Sequence, residues 1–309
     1  MDHLYASMTL GTGLACFFFG LLILRSSLEQ LAGPSIQQGM ERLTSNRLSG
    51  FLAGALATSL VHSSSLVTVL IVMLTHTGTL TLQKALPLVL GSNVGTTLTL
   101  ELLAFSPQQF LPWLFAGGFT LLLFPTPGCK RTGWAILGFS LLMLGMEWMS
   151  QGLAPLAESP FWQRAWHRLH HPPVALAIGL IITGMLQSST VSIALFMGWS
   201  LHFDPSAGSI IAFLLGSNVG TCVTSLLAAL GANRAGQQVA AFHLLFNLAG
   251  AVLLFPFLPW LAVWLENSGW SPAAQIAHAQ LLYNLVGGLA ALPWCRQMAT
   301  AIERLYRAS

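Results

Sequence analysis

Charge is what this sequence has least of. Only 7% of its 309 residues are Asp, Glu, Lys or Arg, against roughly a quarter in soluble domains. At the same time 54% are hydrophobic, and the mean hydropathy is +0.71. A soluble globular domain is therefore excluded, and no nucleic-acid partner is expected. Cysteine is scarce as well. Cys16, Cys129, Cys222 and Cys295 are scattered with no CxxC or Cys/His ligand spacing, and so argue for neither a disulfide framework nor zinc. The N-terminus lacks the basic n-region of a cleaved signal peptide, and Arg25 directly follows its apolar stretch. It reads as a retained first helix.

What is abundant is apolar sequence in long windows: Leu10–Leu24, Leu86–Phe105, Phe110–Pro125, Trp134–Met149, Ile210–Leu230, Ala240–Phe257 and Ala277–Pro293. Spanning a bilayer takes about 20 such residues. A barrel would show alternating polarity, which is missing, so the chain is expected to be an all-α polytopic membrane protein. Its basic residues fall mostly between windows, but Arg25, Arg42 and Arg47 in one loop are matched by Arg164 and Arg168 in another. Only Arg296, Arg304 and Arg307 favour one orientation, with a cytoplasmic C-terminus.

Two polar clusters interrupt the apolar runs. His62-Ser63-Ser64-Ser65 lies within Ala55–Leu74, and Gln187-Ser188-Ser189-Thr190 within Gly179–Gly198. A shift of 125 residues superimposes them, and the same shift carries GSNVGTT (Gly91–Thr97) onto GSNVGTC (Gly216–Cys222), Gly20 onto Gly145, Leu31 onto Leu156 and Gly54 onto Gly179. Two copies of one unit follow, repeat one about 9–104 and repeat two about 134–230, with C-terminal helices about 236–295, all in one transmembrane domain. The arms flanking each serine cluster are too short to span comfortably, so each pair reads as a re-entrant helical hairpin, followed by a longer helix broken at GSNVG. Paired short or Gly-interrupted segments in two halves point to a transporter site near the bilayer midplane. The repeats are compatible with parallel or inverted arrangement; inversion suits alternating access.

A serine-rich tip at the start of a half-helix offers hydroxyls, unpaired backbone N–H groups and the positive end of the helix dipole, which together cradle an anion. Asn93 and Asn218 add amide donors and acceptors, and the glycines beside them allow close backbone approach. Between Leu48 and Gln83 no side chain is charged, and between Pro172 and Asn233 only Asp204 is. An anion held here needs its charge balanced. Bound cations on carbonyl and hydroxyl oxygens would do so, which favours coupled anion and cation binding.

Other features carry less. His62 alone reads first as a packed, hydrogen-bonded histidine, and Glu101 and Glu147 are expected near helix ends. FHLLFNLAG (Phe242–Gly250) matches AQLLYNLVG (Ala279–Gly287), aligning Asn247 with Asn284; packing is weighed above substrate contact there. An intramembrane hydrolase is disfavoured, because the serines have no G-x-S-x-G elbow and no Ser/His/Asp set.

With these residues together, the chain resembles the type II sodium/phosphate cotransporters and their bacterial relatives. The paired QSSS-type motifs, each followed by G-x-N-x-G-T, carry the resemblance over nearly the whole chain. It implies sodium-coupled movement of inorganic phosphate by alternating access through inverted repeats, in a bacterial inner membrane, with no cofactor apart from sodium as coupling ion. Ser63, Ser64, Ser65, Ser188, Ser189, Thr190, Asn93 and Asn218 are then the expected phosphate neighbourhood, and Gln187, Thr96, Thr97 and Thr221 the expected cation ligands. His62 stands where the family commonly has Gln, which makes pH modulation an expectation. The regulatory PhoU-type domain of some relatives is not expected, since the sequence stops at Ser309. A different oxyanion, a proton-coupled cycle, or a phosphate sensor without transport are the alternatives.

Overall fold

A computed structural model describes residues 2–32, 40, 44–105, 108–157 and 159–308; Arg42 and Ser309 lie outside them. Every regular element among the described residues is helical: α1 (Asp2–Ala32), α2 (Arg47–Val61), α3 (Ser64–His76), α4 (Leu82–Phe105), α5 (Leu111–Leu122), α6 (Pro127–Ala157), α7 (Pro160–Leu169), α8 (Pro172–Leu186), α9 (Ser189–Phe203), α10 (Ala207–Ala229), α11 (Arg234–Leu254), α12 (Leu258–Glu266), α13 (Pro272–Ala291) and α14 (Cys295–Ala308). Among the described residues, five stretches are long and apolar enough to cross a bilayer: Leu4–Leu31, Leu82–Phe105, Pro127–Pro155, Ala207–Ala229 and Arg234–Glu266. The chain is an integral, multi-pass α-helical membrane protein.

Three expectations need correcting. The window Phe110–Pro125 holds only the 12-residue α5, because Pro125 pushes the residue before it out of helical geometry and Pro127 starts the next helix. The window Ala277–Pro293 falls in α13, which is not among the five spans; Gln275, His278, Gln280 and Asn284 dilute its hydropathy. Finally, GSNVG breaks neither long helix. Residues 91–97 and 216–222 are helical throughout α4 and α10. The arms around the serine clusters are short as expected, with 15 and 13 residues in α2 and α3 and 15 in each of α8 and α9.

The glycines of GSNVG act in packing. A Cβ on Gly91 would collide with the Phe51 carbonyl of α2, one on Gly95 with that of Ala55, and one on Gly54 with that of Leu88 in α4. Adding 125 to both partners gives the contacts of the other half: Gly216 on the Leu176 carbonyl, Gly220 on Leu180 and Gly179 on Phe213. Small residues let two backbones touch where lipid offers no hydrophobic drive for helix association.

A second seam joins α1 to α6. Gly13 lies against Gly145 and Met149, Gly20 against Gly138 and Leu142, and Gly152 against Ala6 and Leu10, so the two helices run antiparallel. These contacts are reciprocal in the shift of 125: Gly13 meets the counterpart of Gly20, and Gly20 the counterpart of Gly13. Cys16 donates through its thiol to the carbonyl of Leu141, its own counterpart.

Apolar side chains gather in three clusters. One lies around α2–α4 with α11 and α14, one around α8–α10 with α12 and α13, and one along α1 and α6. Large side chains such as Trp113, Leu123, Leu230 and Trp260 face outward, as lipid-facing positions do. Gly91→Ala and Gly216→Ala are each expected to lower stability by about 1–3 kcal/mol through overpacking, measured as thermal unfolding in detergent. Gly117→Ala, where a Cβ meets nothing within 4 Å, is the control expected to lose nothing.

Candidate functional site

The break between α2 and α3 takes two residues. His62 has φ 53° and ψ 32°, a left-handed geometry that costs a non-glycine residue about 1–2 kcal/mol. Ser63 then returns to extended backbone, and its hydroxyl oxygen accepts the Leu66 N–H at 3.2 Å. The same steps recur at Gln187, with φ 53° and ψ 26°, and at Ser188, which accepts the Val191 N–H at 3.4 Å. Ser63 and Ser188 are therefore helix N-caps, interactions worth about 1 kcal/mol each.

The two tips meet. Ser65 donates to the Gln187 carbonyl at 3.0 Å, and Thr224 Oγ1 lies 3.5 Å from Ser65 Oγ. His62 Nδ1 contacts Thr99 of α4, the counterpart of Thr224.

Between the tips and the long helices lies a narrow polar cleft lined by Ser64, Asn93, Thr96, Ser189, Asn218, Thr221 and Gln280. Six of the seven form three pairs separated by 125 residues, and all six were singled out from sequence. Gln280, from α13, was missed; its segment had been assigned to packing, although its alignment with His243 was visible in the FHLL and AQLL stretches. Ser63, Ser65, Ser188, Thr190, Gln187, Thr97 and His62 do not line the cleft. Of these, Thr97 donates to the Val94 carbonyl in its own helix at 2.7 Å, while Gln187 is exposed.

Tracing each hydrogen sorts the lining into donors and acceptors. Thr96 donates to the Ser92 carbonyl at 3.2 Å and Thr221 to the Ser217 carbonyl at 2.9 Å. With that hydrogen spent, each hydroxyl oxygen has only acceptor capacity left. No acceptor among the described residues takes the hydroxyl hydrogens of Ser64 and Ser189, which stand first in α3 and α9 beside the unpaired N–H groups of a helix start.

The asparagines sit in networks anchored on backbone carbonyls, which can only accept. Asn247 Nδ2 donates to the His243 carbonyl at 2.8 Å, so its Oδ1 takes the N–H of Asn93, at 3.4 Å. Asn93 Oδ1 thus faces His243 Nε2 at 3.2 Å, and that nitrogen is the donor. Asn218 Nδ2 donates to the Leu214 carbonyl at 2.7 Å and to Gln280 Oε1 at 2.9 Å, while Gln280 Nε2 returns a bond to Asn218 Oδ1 at 3.0 Å.

Ionisable groups stay out of the cleft. Glu101, near the end of α4, pairs with His278 of α13 at 2.9 Å, and Glu147 accepts from Gln151 on α6. Among the described residues no group of three or more His, Cys, Asp or Glu could hold a metal. What the lining can do is hold an anion by neutral donors and a hard cation by neutral oxygens.

A family model described as Na+/Pi-cotransporter matches residues 16–151 and again 141–264. "Uncharacterized protein YqeW" of Bacillus subtilis is 30% identical over 269 residues, 86% of this chain and 88% of that protein. "Putative inorganic phosphate export protein YjbB" of Salmonella typhimurium is 26% identical over 298 residues, 96% of this chain; the chain spans 55% of that protein's length. "Sodium-dependent phosphate transport protein 2A" of Rattus norvegicus is 36% identical over 95 residues, 30% of this chain and 15% of that protein. No solved structure matches.

The left-handed turn makes a prediction of its own. Gln187→Gly is expected to hold or raise the unfolding temperature. Gln187→Val is expected to cost about 1–2 kcal/mol, because a β-branched residue resists positive φ. Equal melting of the two variants would contradict this geometry.

Proposed function

The chain belongs to the Na+/Pi-cotransporter family, and from that premise we propose that it is a secondary transporter carrying inorganic phosphate coupled to sodium. The family is one of transporters, which sets the hydrolase reading aside. One observation carries the cargo assignment: an uncharged cleft in which unspent serine donors stand beside threonine oxygens left as acceptors. A tetrahedral oxyanion takes the donors of Ser64, Ser189 and the two helix starts. Sodium takes the oxygens of Thr96 and Thr221. Each ion offsets a desolvation cost of several kcal/mol that the other would meet alone, which makes their binding interdependent.

Two named relatives support phosphate as the oxyanion, one called a phosphate export protein and one sodium-dependent. Net direction then follows the gradients. The reciprocal contacts of α1 with α6, and the paired lining of the cleft, support alternating access by two halves moving about a common centre. Ser64 and Ser189 at the tips border this narrow cleft, and parting them would admit the anion. In this reading Ser63 and Ser188 hold the tips in shape as caps, while Ser65 ties one tip to the other through the Gln187 carbonyl.

Purified protein in proteoliposomes is expected to take up labelled phosphate with an inward sodium gradient and not with potassium at the same pH. Sodium-independent uptake would remove the coupling. Ser64→Ala and Ser189→Ala are each expected to raise the phosphate KM about tenfold, the loss of one hydrogen bond to a charged group; an unchanged KM in both removes the cradle. His62→Gln is expected to alter the pH profile of uptake, and an unaltered profile denies His62 that role.

A further inference from the structure

We propose that Gln280 contacts the cargo directly, and that its amide, rather than that of Asn218, supplies the N–H donated to the bound anion from the second half of the chain. This rests on the anion reading of the cleft and names a ligand within it.

The two amides differ in how many of their hydrogens are spent. Asn218 Nδ2 carries two, and both are spent, one on the Leu214 carbonyl at 2.7 Å and one on Gln280 Oε1 at 2.9 Å. A backbone carbonyl cannot donate, so the Asn218 amide cannot be turned the other way round. Asn218 therefore lines the cleft with no N–H to give. Gln280 Nε2 also carries two hydrogens, and only one is spent, on Asn218 Oδ1 at 3.0 Å. The other meets no acceptor among the described residues, although Gln280 is only 1% exposed. A buried N–H without a partner costs about 1–3 kcal/mol, and an anion in the cleft is the partner it lacks.

The opposite wall shows the same economy with different residues. There His243, which aligns with Gln280 in the FHLL and AQLL stretches, donates into Asn93 Oδ1. Asn247 takes one Asn93 hydrogen, so the second stays on Asn93 itself. Each wall thus presents one amide N–H, from Asn93 on one side and Gln280 on the other. The exchange follows from side-chain chemistry. A neutral imidazole can orient an amide oxygen but has no second donor for the cleft, whereas a glutamine amide can do both.

The test uses the full chain, with Gln280→Met and the more conservative Gln280→Asn. Two readouts are followed: the KM and Vmax for phosphate uptake in proteoliposomes, and the rise in melting temperature with added phosphate in detergent. Loss of the donor is expected to raise KM about tenfold with Vmax changed less than about twofold, and to abolish the phosphate-induced rise. A packing role would lower the melting temperature without phosphate and leave KM where it was; that result, in either folded variant, overturns the assignment. If wild-type protein ignores phosphate but responds to sulfate or arsenate, the phosphate reading falls, and the same comparison with that oxyanion decides Gln280. A wild-type protein that responds to none of the three overturns both.

Discussion

Backbone pressed directly on backbone is the contact from which the rest of this structure follows. Gly91 and Gly95 lie on carbonyls of α2, and Gly216 and Gly220 on carbonyls of α8. These contacts seat the first arm of each hairpin against a long helix at a distance no side chain would allow. The seating decides where the arm ends, and so where the turn at His62 or Gln187 releases the second arm. Residue 64 and residue 189, first in those second arms, then arrive beside Asn93 and Asn218, which share the glycine motifs. A segment that looks like a helix breaker in sequence is instead the bearing surface that brings cleft and tip together.

Within the cleft the discriminating quantity is the fate of each hydroxyl hydrogen. Serine and threonine are equivalent in composition, and either can face an anion or a cation. Position in the helix separates them. Thr96 and Thr221 lie mid-helix and donate to the carbonyls four residues before them, leaving oxygen. Ser64 and Ser189 begin a helix, where no preceding turn supplies a carbonyl, and keep their hydrogens. Helix register thus sorts chemically similar side chains into donors and acceptors within one cleft whose lining carries no formal charge.

Much of this was legible in the sequence because the repeat is ungapped: a shift of 125 residues, applied to two serine clusters and two GSNVG motifs, already selected six of the seven residues that line the cleft. The serine cluster itself was less informative than its density suggested. Ser63 and Ser188 cap helices and Ser65 bridges the tips, roles that depend on where the chain turns left-handed, and no residue type announces that at His62 or Gln187. Gln280 escaped because it lies outside the 125-residue register, in a helix whose own match to Phe242–Gly250 is spaced differently. A polar residue on a membrane helix reads as packing, and only the folded chain shows that Gln280, bonded to Asn218, also lines the cleft. GSNVG was misread for a related reason: glycine is equally suited to ending a helix and to letting one approach a neighbour.

The halves are alike but not interchangeable, and the difference bears on how such a carrier behaves. Thr183 lies within 2.7 and 2.8 Å of the hydroxyls of Ser192 and Ser217. Its counterpart Thr58 is fully buried with no partner among the described residues: Val67 stands where the other half has Ser192, and Ser92, the counterpart of Ser217, donates instead to the Val89 carbonyl at 2.8 Å and lies 3.4 Å from Thr68 Oγ1. The tips differ as well, with buried His62 against exposed Gln187, and the walls differ in His243 against Gln280. One unmade buried hydrogen bond is worth about 1–3 kcal/mol, and 1.4 kcal/mol is already tenfold in population. A conformational change that gave the Thr58 hydroxyl a partner would favour the state in which it forms. The halves thus differ in the hydrogen bonding just behind the cleft, one turn along α3 and α9 from Ser64 and Ser189, while the three residue pairs that line the cleft are the same in both.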